Sequence, residues 1–295
     1  MSGKVRTMSG ADRVVVTLMV AVPTLVVLGL IWLPALGTVA LSFTNWNGIG
    51  PLSSAKGVGF SNYVNVATNY PPFWPALQHN LIWLAALFIV ATPIGMFLAV
   101  LLDRKIRFSP FYQSALYLPV VLSLALIGFV WQLLYSRDQG LINAVLGTQV
   151  DWYGNPDYNL WAAIVATSWK HVGYIMLLYL AGLKAVDGSL REAASIDGAS
   201  ERQAFFQVVF PVMRPINVIV LVVTVIESLR AFDLVWVINK GRNGLELIAT
   251  LVTANVIGEA SRIGFGSAMA TIMLVISSVF VAIYVTVVVR ESRQS

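Results

Sequence analysis

The chain has 295 residues, of which 58% are hydrophobic and only 11% charged, against roughly 25% charge in a soluble domain. That composition, with a mean hydropathy of +0.78, belongs to an integral membrane protein. Zero cysteines exclude a disulfide framework, a cysteine nucleophile and a thiolate metal site. The two histidines, His79 and His171, leave no histidine-cluster metal site, and the net charge of +5 is spread along the chain instead of forming a nucleic-acid-binding face.

About 20 mostly apolar residues cross a bilayer core as a helix. By that measure six transmembrane helices are predicted, near Val14 to Leu36, Leu81 to Leu102, Phe111 to Tyr135, Leu160 to Leu183, Ile216 to Ile238 and Gly264 to Val289. Lys4, Arg6 and Arg13 precede the first, as in a signal peptide. Its apolar run nevertheless exceeds the roughly 7 to 15 residues of a signal core, so it is read as a retained helix. Residues 1–13 then form a tail, 14–36 the first span, 37–78 a loop, 79–289 the main membrane domain and 290–295 a second tail.

With the N-terminus in the cytoplasm, segments 1–13, 103–110, 184–215 and 290–295 are cytoplasmic and hold twelve of the 19 Lys and Arg. The external loops hold Lys56, Arg137, Lys240, Arg242 and Arg262. The excess satisfies the positive-inside rule and puts both termini in the cytoplasm of a multi-pass protein of the inner membrane. Of the external loops, the first is rich in Gly, Pro, Asn and aromatics, among them Trp46, Phe60, Tyr63, Tyr70, Phe73 and Trp74, and reads mainly as chain seated at the membrane interface. The second carries Asp138, Asp151 and Asp157 without the ligand spacing of a calcium loop.

The cytoplasmic loop over 186–212 is the most informative segment. Ser189-x-x-Glu192 and Ser200-x-x-Gln203 both fit a capping box, so two short helices are predicted. Gly198 between them is suited to the positive φ that closes the first, and Pro211 and Pro215 mark the exit. Phe205, Phe206, Val209 and Phe210 then share one helix face. That face either docks on a partner or packs back on the ends of the spans. Glu192 likewise serves as a cap, a docking contact or both.

Within the spans, Glu227, Arg230 and Asp233 lie at i, i+3 and i+6, close enough on a continuous helix for Arg230 to pair with either acid. Ionisable groups at membrane depth are costly and face a cavity or a partner, so the three are either an ion-pair network or part of a solute pathway. Lys170 either joins that pathway or snorkels outward. Trp169, Tyr174 and Trp236 are added because sugars stack on aromatic rings.

Glu192-Ala193-Ala194-Ser195-Ile196-Asp197-Gly198, closing on Phe210-Pro211, resembles the cytoplasmic signature of the permease subunits of binding-protein-dependent ABC importers. Phe60-Ser61-Asn62-Tyr63, Leu118-Pro119, Trp131, Gly140-Leu141-Ile142-Asn143, Leu180-Ala181-Gly182-Leu183, Phe232-Asp233 and Gly266-Ser267-Ala268-Met269-Ala270 are similar to the carbohydrate branch, which includes the maltose and glycerol-phosphate permeases. The resemblance covers about residues 58 to 285. It implies an all-α type I importer fold whose cytoplasmic coupling helix docks on a separate ATPase. Glu192 would contact a basic residue there, Ala193 and Ala194 would permit close approach, and Gly198 would supply the bend, with Asp197, Phe205, Phe206, Phe210 and Pro211 completing the surface. The implied partners are a second permease, two ATPase copies carrying ATP and Mg, an external solute-binding protein and membrane lipid.

The chain is expected to bind no cofactor or metal and to be no enzyme, since it contains no G-x-x-x-x-G-K-[ST], G-x-S-x-G or H-E-x-x-H. It departs from the branch after Phe232-Asp233, where a G-G-P-type turn is replaced by Asn239-Lys240-Gly241-Arg242-Asn243-Gly244. Two cations thus stand where the binding protein would approach, leaving room for an acidic or phosphorylated cargo such as a glycerol phosphodiester. Two other classes of function stay open: an ion-coupled transporter using Glu227 and Asp233, and a membrane scaffold whose loop recruits a soluble partner.

Overall fold

The computed structural model describes residues 9–104, 107–258 and 261–292. Among these the only β pairing is an isolated bridge between Thr44 and Gly57, and the rest of the regular structure is helical. Four helices are long and apolar enough to cross a membrane: α1 (Gly10–Leu41), α3 (Phe73–Asp103), α7 (Pro156–Ala185) and the Ile263–Ala282 part of α13 (Ile263–Ser292). A short α2 (Ser61–Thr68) lies between α1 and α3.

The predicted third and fifth spans are helical but broken. The third consists of α4 (Ser109–Val121) and α5 (Leu124–Leu134), bent by 103°. Pro119 removes one amide donor just before the break, and the Ser123 hydroxyl starts α5 by accepting from the Leu126 amide at 3.2 Å. The fifth consists of α10 (Arg214–Leu229) and α11 (Asp233–Asn239), parted at Arg230–Phe232. Short helices complete the fold: α6 (Leu141–Leu146) in the loop between α5 and α7, α8 (Gly188–Ile196) and α9 (Glu201–Val212) in the signature loop, and α12 (Ile248–Val256) before α13.

Three one-turn π segments, Leu28–Trp32, Leu87–Ala91 and Phe205–Val209, each end two residues before a proline: Pro34, Pro93 and Pro211. A proline ring inside a helix clashes with the carbonyl four residues back and lacks the amide that would bond it. Widening the preceding turn moves that carbonyl aside, so the helix continues through the proline.

Helix α7 is the central strut, buried against α3 and α4 through two glycines. A Cβ on Gly95 would sit 2.9 Å from the Val172 carbonyl oxygen, and one on Gly173 would sit 2.3 Å from that of Leu116. Hydrophobic clusters mark three levels along the spans. One joins Phe73, Ala76, Ile248, Leu251 and Met269 at the start of α3. The middle one joins Trp83, Leu87, Ile127, Ile164 and Val235. The last joins Ala99, Leu102, Met176, Tyr179 and Val209 beside the signature loop. Helix α1 stands outside this core, with none of its residues buried.

The loops opposite the signature loop are pinned by asparagines. Asn62 donates to the carbonyls of Ser42 and Thr44, both at 2.8 Å, while the Tyr63 hydroxyl meets that of Ser42 at 2.6 Å. Asn143 donates to Arg137 and Val150 carbonyls and accepts from the Trp152 indole at 2.9 Å. Tyr63 and Phe73 therefore belong to packed structure instead of a membrane belt, whereas Phe60 and Trp74 stay exposed.

Candidate functional site

The signature loop is a helical hairpin at the Asp103 end of α3. Its first helix, α8, is capped by Asp187, whose carboxylate accepts from the Ser189 amide at 3.0 Å. The capping box predicted at Ser189 therefore does not form, because the helix begins two residues earlier than Ser189-x-x-Glu192 implies. That backbone bond, together with the Ser189 side chain, holds the Asp187 carboxyl below its ordinary range. Gly198 then takes φ +78° and ends the helix. The second box does form: Ser200 accepts from the Gln203 amide, and the Gln203 side chain accepts from the Ser200 amide at 2.9 Å.

Two ion pairs of opposite polarity fix this hairpin to α3. Arg191 of α8 meets Asp103 at 2.8 Å, and Glu201 of α9 meets Arg104, the next residue, at 2.8 Å. Swapping the two ends of the hairpin would place like charges together, so the pairs encode orientation as well as attachment. Glu192, Ala193, Asp197 and Pro211 are exposed on the hairpin, while Ala194 is buried beneath it. Of the phenylalanine face, Phe205 and Phe210 are half-buried and pack on the third cluster. Only Phe206 is largely outward, and its ring touches both others. Of the two arrangements expected for this face, packing back on the ends of α3 and α7 accounts for Phe205 and Phe210, and Phe206 is left outward. Ile196, 86% exposed, is the outward apolar residue that periodicity did not single out.

The second constellation is a cavity of about 190 Å³ between α3, α5, α7 and the break in the fifth span. Lys170, His171, Glu227, Arg230, Asp233 and Trp83 are among its walls. Four of the predicted pathway residues meet here, but not as the sequence spacing implied. The helix ends at Leu229, so Arg230 and Asp233 do not share a helix face. Glu227 pairs instead with His171 Nδ1 at 2.7 Å, and Arg230 pairs with neither acid among the described residues. The other His171 nitrogen lies 3.3 Å from the hydroxyls of Thr92 and Thr224, closing a polar cluster across α3, α7 and α10.

Lys170 does not snorkel outward. Its Nζ donates at 2.9 Å to the carbonyl of Leu122, which the break in the third span leaves without a helical partner. Trp169, Tyr174 and Trp236 lie outside the cavity wall. Trp169 packs edge-on against Trp131, Tyr174 joins the third cluster, and Trp236 stacks on Phe232 at 5.2 Å. Sequence reasoning missed Trp83, whose buried indole N–H has no hydrogen-bond partner among the described residues, and it missed His171, Thr92 and Thr224. An isolated histidine in an apolar span was the available signal for the latter group, since such a residue needs polar partners from other helices.

The comparisons agree with this architecture. Residues 91–294 match the family model described as binding-protein-dependent transport system inner membrane component. The xylose/arabinose import permease protein XacH of Haloferax volcanii is 32% identical over 249 residues, covering 81% of this chain and 76% of that protein. A solved bacterial ABC transporter that imports the acidic polysaccharide alginate contains a chain superposing with a TM-score of 0.79 at 19% identity, covering 95% and 96% of the two chains. A second alginate transporter structure, in complex with a periplasmic protein bound to an alginate pentasaccharide, matches with a TM-score of 0.77 at 19% identity over 93% of each chain. With a family match over more than half its length and helices arranged as in that fold, this chain belongs to the inner membrane permease components of binding-protein-dependent ABC transport systems.

Proposed function

We propose that this chain is one permease subunit of an ATP-driven importer for a sugar or sugar derivative, with the Glu192–Pro211 hairpin as the point where a separate ATPase acts. The observation that carries the reading is the mounting of the family signature. Glu192 and Ala193 face outward on a hairpin that two oppositely poled ion pairs attach to the end of α3. A push on such a hairpin passes to the spans as a rigid-body movement. Gly198 sets the bend, Ala194 lets α8 sit close to the spans, and Asp197, Phe206 and Pro211 complete the docking edge. Phe205 and Phe210 serve as its footing.

In this reading the broken third and fifth helices are each one span, giving six, with both termini and the hairpin in the cytoplasm. Residues 1–13 and 290–295 are tails, and 79–289 form the transport domain. The chain pairs with a second permease, two ATPase subunits that bind ATP and Mg, and an external solute-binding protein, and it binds no cofactor itself. Similarity to a xylose/arabinose permease supports a saccharide cargo. The cargo passes the cavity lined by Lys170, Glu227, Arg230 and Asp233, while Trp169, Tyr174 and Trp236 shape its surroundings. An ion-coupled mechanism loses support because Glu227 is engaged by His171.

Purification of the chain with its bound subunits, followed by a screen of saccharides for stimulation of ATP hydrolysis in the presence of the binding protein, tests this reading. Stimulation by a saccharide is expected. Stimulation only by non-carbohydrate solutes would overturn the cargo class.

A further inference from the structure

At the opposite end of α3 from the hairpin lies a cavity of about 370 Å³ that the transport reading does not use. Its walls come from the segment after α1, from α2 and from the start of α13. The Trp46, Tyr70 and Phe265 rings supply apolar surface, and asparagine amides with Arg262 supply polar groups. The volume lies within the range of small-molecule sites, about 300–1,000 Å³.

The hydrogen bonds within this wall leave an excess of donors. Trp46 Nε1 is buried and has no hydrogen-bond partner among the described residues. Asn45 uses its carbonyl oxygen to accept from the Lys56 amide, and Asn47 uses its own to accept from that of Ile49. Both residues are exposed, and neither side-chain NH2 group donates a hydrogen bond among the described residues. The Tyr70 hydroxyl accepts from Asn255 at 3.0 Å, which leaves its own proton to offer. Arg262 makes no ion pair among the described residues. Donors without a protein partner, gathered beside aromatic faces, suit a ligand with many oxygen acceptors and an apolar face.

Both properties occur together in a pyranose or furanose ring. We propose that this cavity is a saccharide-binding vestibule, where one sugar unit rests against the Trp46 and Tyr70 rings and its oxygens accept from Tyr70, Asn45, Asn47 and Arg262. Lipid tails would leave the donors unpaired, and a small inorganic anion would leave the rings uncovered. The inference rests on the sugar-import reading for its place on the outer face, but binding itself needs neither ATPase nor binding protein.

The test is saturation-transfer NMR with arabinotriose and an alginate trisaccharide on the full permease complex in nanodiscs, without binding protein. Saturation transfer from at least one of them is expected. Trp46→Ala should weaken it roughly ten-fold, the size of one lost aromatic contact, and Asn47→Ala, at an exposed side chain, should weaken it without touching the fold. Asp233→Ala, in the other cavity, should leave it unchanged. No transfer from either saccharide overturns the vestibule, as does transfer insensitive to Trp46 and Asn47. So does a loss in these variants of binding-protein affinity alone, which would assign the cavity to a protein loop. Failure of the complex to import any saccharide contradicts the transport reading separately, because the NMR result is independent of uptake.

Discussion

Single side chains decide where this chain bends. Lys170 lies far from either end of α7, yet it places a charge on the carbonyl that the α4–α5 break sets free. Lys170→Met should leave that carbonyl unpaired and lower the unfolding free energy in detergent by about 1–3 kcal/mol, with Lys170→Arg recovering part of the loss. Asn143 satisfies several backbone groups of its loop at once, and Asn143→Ala should speed proteolysis between Ser136 and Asn155 while the spans stay intact. Gly173→Ala would place a methyl carbon 2.3 Å from the Leu116 carbonyl oxygen and should cost a few kcal/mol, about the upper range of overpacking. Sequence alone marked Gly198, since only a short list of residues tolerates positive φ. It could not mark Lys170 or His171, whose partners lie 48 to 79 positions away.

At the level of elements, periodicity and length gave the six apolar segments, and the signature hairpin was legible from Ser200-x-x-Gln203, Gly198 and Pro211. Breaks inside two spans were not legible, because an apolar run reads alike whether it is straight or bent. The Glu227–Arg230–Asp233 spacing misled for the same reason: the i, i+3 argument holds only on a continuous helix. The hairpin clamp permits a ranking. Arg104–Glu201 is mostly exposed, at 55% and 81%, and such pairs contribute about 0–1 kcal/mol. In Arg191–Asp103 the carboxylate is only 16% exposed, and Arg191 also reaches the Leu183 carbonyl at 3.5 Å. Arg191→Ala should therefore uncouple ATP hydrolysis from uptake more severely than Glu201→Ala. An Asp103→Arg/Arg191→Asp exchange should restore part of the coupling. Parallel assays of ATPase rate and uptake on the reconstituted complex check both outcomes.

For the whole molecule, α3 joins the two ends of the machine. About 45 Å of helix at 1.5 Å per residue links the Asp103 clamp to the Phe73 cluster beside the opposite cavity, and α7 braces it through Gly95 and Gly173. In the proposed mechanism a movement of the hairpin would pass along these closely packed helices, with the breaks at Leu122–Ser123 and Arg230–Phe232 beside the central cavity as the points that yield. The central claim is that a separate ATPase drives solute movement through this hairpin. Uptake into proteoliposomes holding the permease, its co-purified subunits and the binding protein measures it most directly. The account predicts saccharide uptake that requires ATP, persists with an ionophore, and falls by at least about ten-fold, or roughly 1.4 kcal/mol of coupling, in Glu192→Ala with all subunits still assembled. Uptake that ignores ATP and collapses with the ionophore, or a Glu192→Ala complex that transports normally, would contradict it.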